Sequence, residues 1–259
     1  MSTDPIRVTV ADGVGVLTLD NPPMNLVTLA LTRQLDAALT RLGVEADLRV
    51  LVITGAGDRA FCAGSDIKEF GGVADDVVGK KLAAENAAFG RLAAFPKPTI
   101  AAIEGVAFGG GLELAVCCDL LVAGAEARLA LPEVKLGVFP GSGGTIRVPR
   151  RIGEGRAKQL MFTGEPIAAD TALAWGLVNH VVPRGQALAA ARALAARLAA
   201  LPARALALMK EAVAVGLAHP EGEAVQRTLA LSAAVFKTAD CREGARAFLA
   251  KQPARWRHD

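Results

Sequence analysis

The sequence contains no tyrosine, and aromatic residues make up only 4% of its 259 residues. Proteins that bind single-stranded nucleic acids stack the bases on aromatic side chains, which are scarce in this chain. The 29 basic and 26 acidic residues give a net charge of +3 and are spread without a basic run. Nucleic-acid-binding proteins usually carry a clustered basic surface. We therefore expect no nucleic-acid partner.

Long uninterrupted apolar runs are also missing. The most apolar stretch begins at Leu112 and already includes Glu113 and Asp119, whereas a spanning helix needs about 20 apolar residues. The N-terminus has no basic start followed by an apolar core, so no secretory signal is visible. Because 52% of the residues are hydrophobic, global disorder is excluded. We expect a cytoplasmic protein without a membrane partner.

Cysteine and histidine are sparse and ungrouped. The four cysteines show no Cys-x-x-Cys spacing, and Cys117 and Cys118 lie in an apolar, helix-like run, so we expect reduced, structural thiols. His180, His219 and His258 are far apart in the sequence and form no metal-like group. We therefore expect no metal site and acid–base chemistry that depends on carboxylates.

The pattern of apolar residues predicts an α/β protein with two regions. Continuous apolar segments at 49–55, 97–105 and 119–124 are typical of strands buried on both faces. Residues 6–20 predict a hairpin, and 29–42 predict a helix. From about residue 187 the chain is rich in Ala, Leu and Arg and predicts helices, interrupted at Pro202. These helices pack on the core or on another subunit, or else form a membrane-surface segment.

Two glycine-containing segments are candidates for ligand binding. Residues 61–66, FCAGSD, follow a predicted strand, and their glycine allows backbone N–H groups to face a ligand. Taken alone, they are more typical of a turn in which Asp66 caps a short helix. Residues 106–119 contain three glycines before an apolar helix, whose N-terminus attracts anions. Glu113 in its first turn either takes part in chemistry or only complements the helix dipole.

A third segment adds a second carboxylate. Pro132 and Glu133 either start a helix or place a carboxylate at a site, and PGSGG follows at 140–144. Two sources of free N–H groups and two carboxylates together are the components needed to hold an oxyanion and move protons at a neighbouring carbon.

Four segments of the chain together resemble the enoyl-CoA hydratase/isomerase (crotonase) superfamily, and most of all an enoyl-CoA hydratase. They read VLVITGAGDRAFCAGSDIKEF, KPTIAAIEGVAFGGGLELAVCCD, LPEVKLGVFPGSGGTIRVPRRIG and FKTADCREGARAFLAKQPAR. The resemblance implies an α/β crotonase-like spiral of ββα units over residues 1–190 and a C-terminal helical trimerisation region over 191–259. It also implies a homotrimer or a hexamer of two trimers, an acyl-CoA substrate, and no cofactor, because coenzyme A is part of the substrate.

The same resemblance assigns roles to individual residues. The N–H groups of Ser65 and Gly110 would form the oxyanion hole, and Glu113 and Glu133 would be the catalytic pair. Glu133 would mainly protonate the α-carbon, while Glu113 would activate the water. The substrate-binding residues would be Ala63, Ser65, Asp66, Ile67, Lys68, Gly109, Gly110 and Pro132.

The activity implied is hydration of a 2-trans-enoyl-CoA to a 3-hydroxyacyl-CoA, as in β-oxidation of fatty acids. Superfamily members that isomerise often lack one of the two glutamates, so their joint presence favours a hydratase. A 3-enoyl-CoA isomerase, a specialised acyl-CoA dehydratase and, more remotely, an RNA-binding homologue are the alternatives. Met24 stands where the superfamily often has a basic residue near the CoA phosphates, which leaves Lys68, Lys97 and Lys251 as candidates for that contact.

Overall fold

A computed structural model describes residues 4–259 of the chain. Within that range there are ten strands, which form two sheets. The strands are β1 (Ile6–Ala11), β2 (Val14–Leu19), β3 (Val50–Gly55), β4 (Ala60–Cys62), β5 (Thr99–Ile103), β6 (Val106–Phe108), β7 (Leu120–Gly124), β8 (Arg128–Ala130), β9 (Ile167–Ala168) and β10 (His180–Val182). The predicted hairpin and the three predicted buried strands are confirmed.

The same part of the chain contains eleven α-helices. They are α1 (Leu29–Gly43), α2 (Phe70–Val73), α3 (Ala83–Ala93), α4 (Gly110–Ala115), α5 (Gly144–Ile152), α6 (Glu154–Thr163), α7 (Ala169–Trp175), α8 (Ala187–Ala199), α9 (Ala203–Ala218), α10 (Glu221–Phe236) and α11 (Ala239–Ala250). A π-helical segment, Val78–Leu82, leads directly into α3. The helices predicted from about residue 187 are confirmed as α8 to α11, and α8 ends before Pro202.

The order of the strands produces the expected repeat of ββα units. The larger sheet has the order β1-β2-β3-β5-β7-β10, and the smaller one has β4-β6-β8-β9. Each of β3, β5 and β7 is followed within a few residues by a strand of the smaller sheet, namely β4, β6 and β8, and then by a helical turn. β3, β5 and β7 are parallel to one another, as are β4, β6 and β8. The C-terminal ends of β4, β6 and β8 are therefore neighbours.

The central strands are buried on both faces because they separate two apolar clusters. In β3, Leu51 and Ile53 belong to the main core, whereas Val50 and Val52 pack in a second cluster. The alternation follows from the two-residue period of a strand. Four alanines of α8 cover the second cluster, so the helix lies close to the sheet.

The helices after α8 are less completely buried. In α9 and α10 only Leu208 and Ala224 are fully buried, while large apolar side chains are exposed on α9–α11. The exposed residues are Met209, Val213, Leu217, Val225, Leu229, Phe236, Phe248 and Leu249. No helix in residues 4–259 is long and apolar enough to cross a membrane. The division of the chain at residue 190 stays a prediction.

Candidate active site

The backbone N–H groups of Ser65 and Gly110 lie next to each other, just beyond the C-terminal ends of β4 and β6. Glycines at 64 and 109 adopt positive φ values of 104° and 50°, which L side chains rarely tolerate. A Cβ atom on Gly110 would lie 3.6 Å from the Ser65 nitrogen, and one on Gly64 would lie 3.7 Å from the Gly110 nitrogen. Across the described residues, neither the Ser65 nor the Gly110 N–H donates a hydrogen bond. The two amides are thus adjacent and free to bind an oxygen.

Glu113 lies in the first turn of α4, and its carboxylate is held by backbone donors. Its Oε1 accepts hydrogen bonds from the N–H groups of Ser142 and Gly144, each 2.8 Å long. The side chain is buried, with 3% of the residue exposed. Burial raises the pKa of Glu113 to about 7, despite the opposing effect of these hydrogen bonds, and the charge of Glu133 adds to the rise. This carboxyl therefore exchanges protons near neutral pH.

Glu133 begins the 3₁₀ turn Glu133–Leu136, just after β8. Both carboxylate oxygens are buried and have no hydrogen-bond partner among the described residues. A Cβ atom on Gly109 would lie 3.2 Å from Oε1, so this carboxylate sits beside the glycine that precedes the free Gly110 amide. Burial raises the pKa of Glu133. A buried carboxyl without a partner is costly, unless a ligand or water satisfies it.

Two carboxyls with raised pKa values and two free amides are the parts needed for proton transfer next to a polarised carbonyl. The family model described as "Enoyl-CoA hydratase/isomerase" matches residues 9–259. The chain belongs to the enoyl-CoA hydratase/isomerase family. The expected crotonase fold and the resemblance found in the sequence are thereby confirmed.

Individual relatives match this chain over 93% or more of its length. A protein of Mycobacterium bovis named "Probable enoyl-CoA hydratase echA8" is 39% identical over 262 residues, covering 100% of both chains. The crotonyl-CoA hydratase of Syntrophomonas wolfei is 36% identical over 93% of each chain. The crystal structure of an enoyl-CoA hydratase from Bacillus anthracis superposes with a TM-score of 0.94 at 37% identity, covering 98% of this chain and 100% of that one.

The residues assigned to substrate binding lie in three neighbouring segments. Ala63 to Lys68 form one loop after β4, in which Asp66 caps the 3₁₀ turn Ile67–Glu69 by accepting a hydrogen bond from the Lys68 N–H. Ile67 and Lys68 are exposed. Gly109 and Gly110 follow β6, and Pro132 immediately precedes Glu133. These residues thus belong to the segments that carry the two free amides and Glu133, and their contact with a substrate stays a prediction.

The three candidate lysines have different surroundings. Lys97 Nζ donates hydrogen bonds to the carbonyls of Leu42 and Glu45 at the end of α1. The Lys97 ammonium group is thus already engaged by two backbone carbonyls. Lys251 is the C-cap residue directly after α11. It is exposed, as Lys68 is, so these two are freer than Lys97 to meet a phosphate.

The sequence assigns no role to Ser142 and Gly144, although both lie in the glycine-rich run PGSGG at 140–144. Their amides reach Glu113 across 29 and 31 residues of chain. A Cβ atom on Gly144 would lie 3.0 Å from Oε1 and Cγ of Glu113, so a glycine allows the close approach. The density of glycine in residues 140–144 was the one available signal, because exposed backbone amides bind carboxylates.

Proposed function

We propose that this protein is an enoyl-CoA hydratase, which adds water across the 2-trans double bond of an enoyl-CoA thioester to give a 3-hydroxyacyl-CoA. The observation that carries the proposal is the meeting of two buried carboxyls, Glu113 and Glu133, beside the free amides of Ser65 and Gly110. The names of the relatives support the same reaction.

The amides of Ser65 and Gly110 bind the thioester oxygen. Their hydrogen bonds withdraw electrons from the conjugated system, which makes the β-carbon electrophilic and stabilises the enolate that forms. Loss of one donor of this kind typically costs about 2.7–4 kcal/mol of transition-state stabilisation. Because both donors belong to the backbone, the identity of the Ser65 side chain is not required for this step.

The two glutamates hold the water and move its protons. Glu113, in its ionised form, accepts a proton from the water, whose oxygen forms the new bond to the β-carbon. Glu133, in its protonated form, donates a proton to the α-carbon on the same face. Transfer of the water-derived proton from Glu113 to Glu133, directly or through solvent, then restores both carboxyls for the next turnover. Two hydrogen bonds from the backbone support the first role by fixing the orientation of Glu113. The second role is supported by the position of the Glu133 carboxyl, which lies beside Gly109 and has no hydrogen-bond partner among the described residues.

The reaction needs no metal or redox cofactor, since each proton moves between the water, the substrate and the two carboxyls. We further propose that the protein acts in the cytoplasm, in β-oxidation of fatty acids. No nucleic acid or membrane takes part.

The exposed apolar side chains of α9–α11 support assembly into a homotrimer or a hexamer of two trimers. Burying them between subunits removes apolar area from water at about 25 cal/mol per Å². Light scattering at micromolar protein concentration tests this, and a monomer would contradict it.

The decisive experiment follows the enoyl-thioester absorbance of crotonyl-CoA in the presence of the wild-type protein. We expect rapid loss of absorbance with formation of 3-hydroxybutyryl-CoA. No loss with crotonyl-CoA, but turnover of a 3-enoyl-CoA or of a branched thioester, would instead identify an isomerase or a specialised dehydratase. Salt-sensitive binding of RNA without turnover of any thioester would support the non-enzymatic alternative.

A further inference from the structure

A buried polar network lies behind the Glu113 carboxylate and is not used by the proposed mechanism. Ser142, whose N–H donates to Glu113, also donates its hydroxyl to Glu85 Oε2 at 2.7 Å. Ser142 and Glu85 are 2% and 1% exposed, so this hydrogen bond is shielded from water. The two residues are 57 positions apart in the chain. The contact therefore joins α3 to the loop that holds Glu113.

Lys81, one turn before Glu85, compensates the charge of that carboxylate. Its Nζ lies 3.0 Å from Glu85 Oε1 and 2.8 Å from Glu69 Oε2. The contact with Oε1 is an ion pair between two buried side chains. Burial lowers the pKa of Lys81, but the hydrogen bonds and charges of Glu69 and Glu85 outweigh it, so the pKa is raised. The lysine stays charged and keeps the buried Glu85 in place.

A second contact from α3 holds the same loop one residue earlier. Asn86 Nδ2 donates hydrogen bonds of 2.9 Å to the carbonyls of Gly141 and Leu82. The Leu82 side chain also lies against Gly141, where a Cβ atom would be 3.2 Å from both Cδ atoms. Two consecutive residues of α3 thus hold two consecutive residues of the loop: Glu85 contacts Ser142, and Asn86 contacts Gly141.

Lys81 also connects this arrangement to the other half of the site. Glu69, its second partner, lies at the end of the 3₁₀ turn that follows Ser65, and its carboxylate accepts a hydrogen bond from the Leu29 N–H at the start of α1. One buried lysine therefore links the loop carrying the Ser65 amide with the loop that holds Glu113. The π-helical turn in which Lys81 lies is of a kind frequent at functional sites.

We infer that Glu85, Asn86 and Lys81 are positioning residues, which fix loop 140–144 so that its amides orient the Glu113 carboxylate towards the bound substrate. The inference rests on the proposed function and concerns orientation rather than binding. Misplacement of a reacting group by about 1 Å can lower a rate about 100-fold. Loosening the loop should therefore reduce kcat while leaving KM unchanged.

Ser142→Ala and Asn86→Ala, singly and combined, test this inference with two readouts. The first is amide hydrogen exchange of loop 140–144 measured by mass spectrometry, which does not depend on activity. We expect exchange to be about tenfold faster in each single variant and faster still in the double variant. The second is turnover of crotonyl-CoA, for which we expect kcat to fall about tenfold in each and about 100-fold in the double variant, with KM within twofold of wild type.

The matched control is Thr40→Ala, which removes an exposed hydroxyl that donates only within α1; neither readout should change. Lys81→Met is compared with Lys80→Met, because Lys80 is the neighbouring lysine and pairs with the exposed Asp75. Lys81→Met should accelerate exchange of loop 140–144 and lower kcat, and Lys80→Met should do neither. If Lys81→Met does not fold, the Ser142 and Asn86 variants decide the matter.

Unchanged exchange in the Ser142 and Asn86 variants would overturn the inference, and so would faster exchange with unchanged kcat. A rise in KM with unchanged kcat would also overturn it, because it would indicate a role in binding. If the wild type turns over no enoyl-CoA, the proposed function is wrong, and the exchange rates alone then decide whether α3 holds the loop.

Discussion

The two glutamates of the site follow neighbouring strands of the same small sheet, yet their surroundings differ. Glu113 lies in a helix, and its Oε1 accepts two hydrogen bonds from the backbone. Glu133 starts a 3₁₀ turn, and neither of its buried oxygens has a partner within residues 4–259. One carboxylate is held in place before a substrate arrives, whereas the other depends on the substrate or water for its hydrogen bonds.

In the proposed mechanism, this difference in surroundings suits two identical side chains to different tasks. Burial raises both pKa values, so both carboxyls are suited to exchange protons closer to neutral pH than an exposed glutamate. Backbone donors stabilise the ionised form of Glu113 against that trend, which suits a base. Glu133 lacks such donors, which leaves both of its oxygens free to contact a substrate or water. The following predictions test this contrast, beginning with the largest expected effect.

Glu133→Gln should reduce the rate of crotonyl-CoA hydration by about 10³–10⁴-fold, because an amide cannot donate the proton that the α-carbon requires. The oligomer should persist, since glutamine has nearly the same shape. The measurement is the enoyl-thioester absorbance together with light scattering. Glu165→Gln is the control, because Glu165 is exposed and pairs only with Lys135. A rate within tenfold of wild type would contradict the role given to Glu133.

Glu113→Gln should make the stability of the protein less dependent on pH. Between pH 4.5 and about 7 the folded wild type keeps a proton on Glu113 that the unfolded chain has released, so its stability falls as the pH rises through this window. At about 1.4 kcal/mol per unit of pKa, the full effect is roughly 3 kcal/mol.

Glutamine does not titrate but can accept both backbone hydrogen bonds. The variant should therefore gain stability relative to wild type between pH 4 and pH 8, as measured by denaturant unfolding at equal protein concentration. Glu154→Gln, on the exposed surface beside Lys158, serves as the control. A constant difference between Glu113→Gln and wild type across this range would show that the carboxyl is not protonated in the fold at neutral pH.

Gly109→Ala should lower the rate about 10- to 100-fold, because the new methyl group would press on Glu133 Oε1, 3.2 Å away, and strain the backbone at φ 50°. Gly57→Ala is the matched control. Gly57 also has a positive φ, of 76°, but nothing lies within 4 Å of the position of its Cβ. Both variants should lose stability, and only Gly109→Ala should lose activity beyond that. Equal losses of activity in the two variants would mean that backbone strain at a positive φ, and not contact with Glu133, lowers the rate.

The pH profile of kcat/KM should show an acid limb near pH 7, where Glu113 loses its proton. Below this limb the rate should fall about tenfold per pH unit, because less of the base is ionised. The measurement is initial rates of hydration from pH 5 to 9 in buffers of constant ionic strength. An acid limb near pH 4.5 would indicate that Glu113 titrates like an exposed carboxyl.

Much of the fold could be predicted locally. The hairpin at 6–20, α1, the strands β3, β5 and β7, and the beginning of the C-terminal helices follow from apolar periodicity, glycines and prolines. The smaller sheet could not be predicted in this way. Its strands are only two or three residues long, too short for a two-residue alternation to be distinguished from a loop.

The candidate active site was likewise predictable from the sequence only in part. The sequence by itself determined which residue types are present: glycines that leave amides free, two glutamates at the starts of helical turns, and three histidines that are far apart in the chain. Only the tertiary structure decided which of them meet, because the amides of residues 142 and 144 reach Glu113 across about 30 residues, and Glu85 reaches Ser142 across 57. Local periodicity reports which side of an element is buried, whereas contacts over such distances depend on how the ββα units stack.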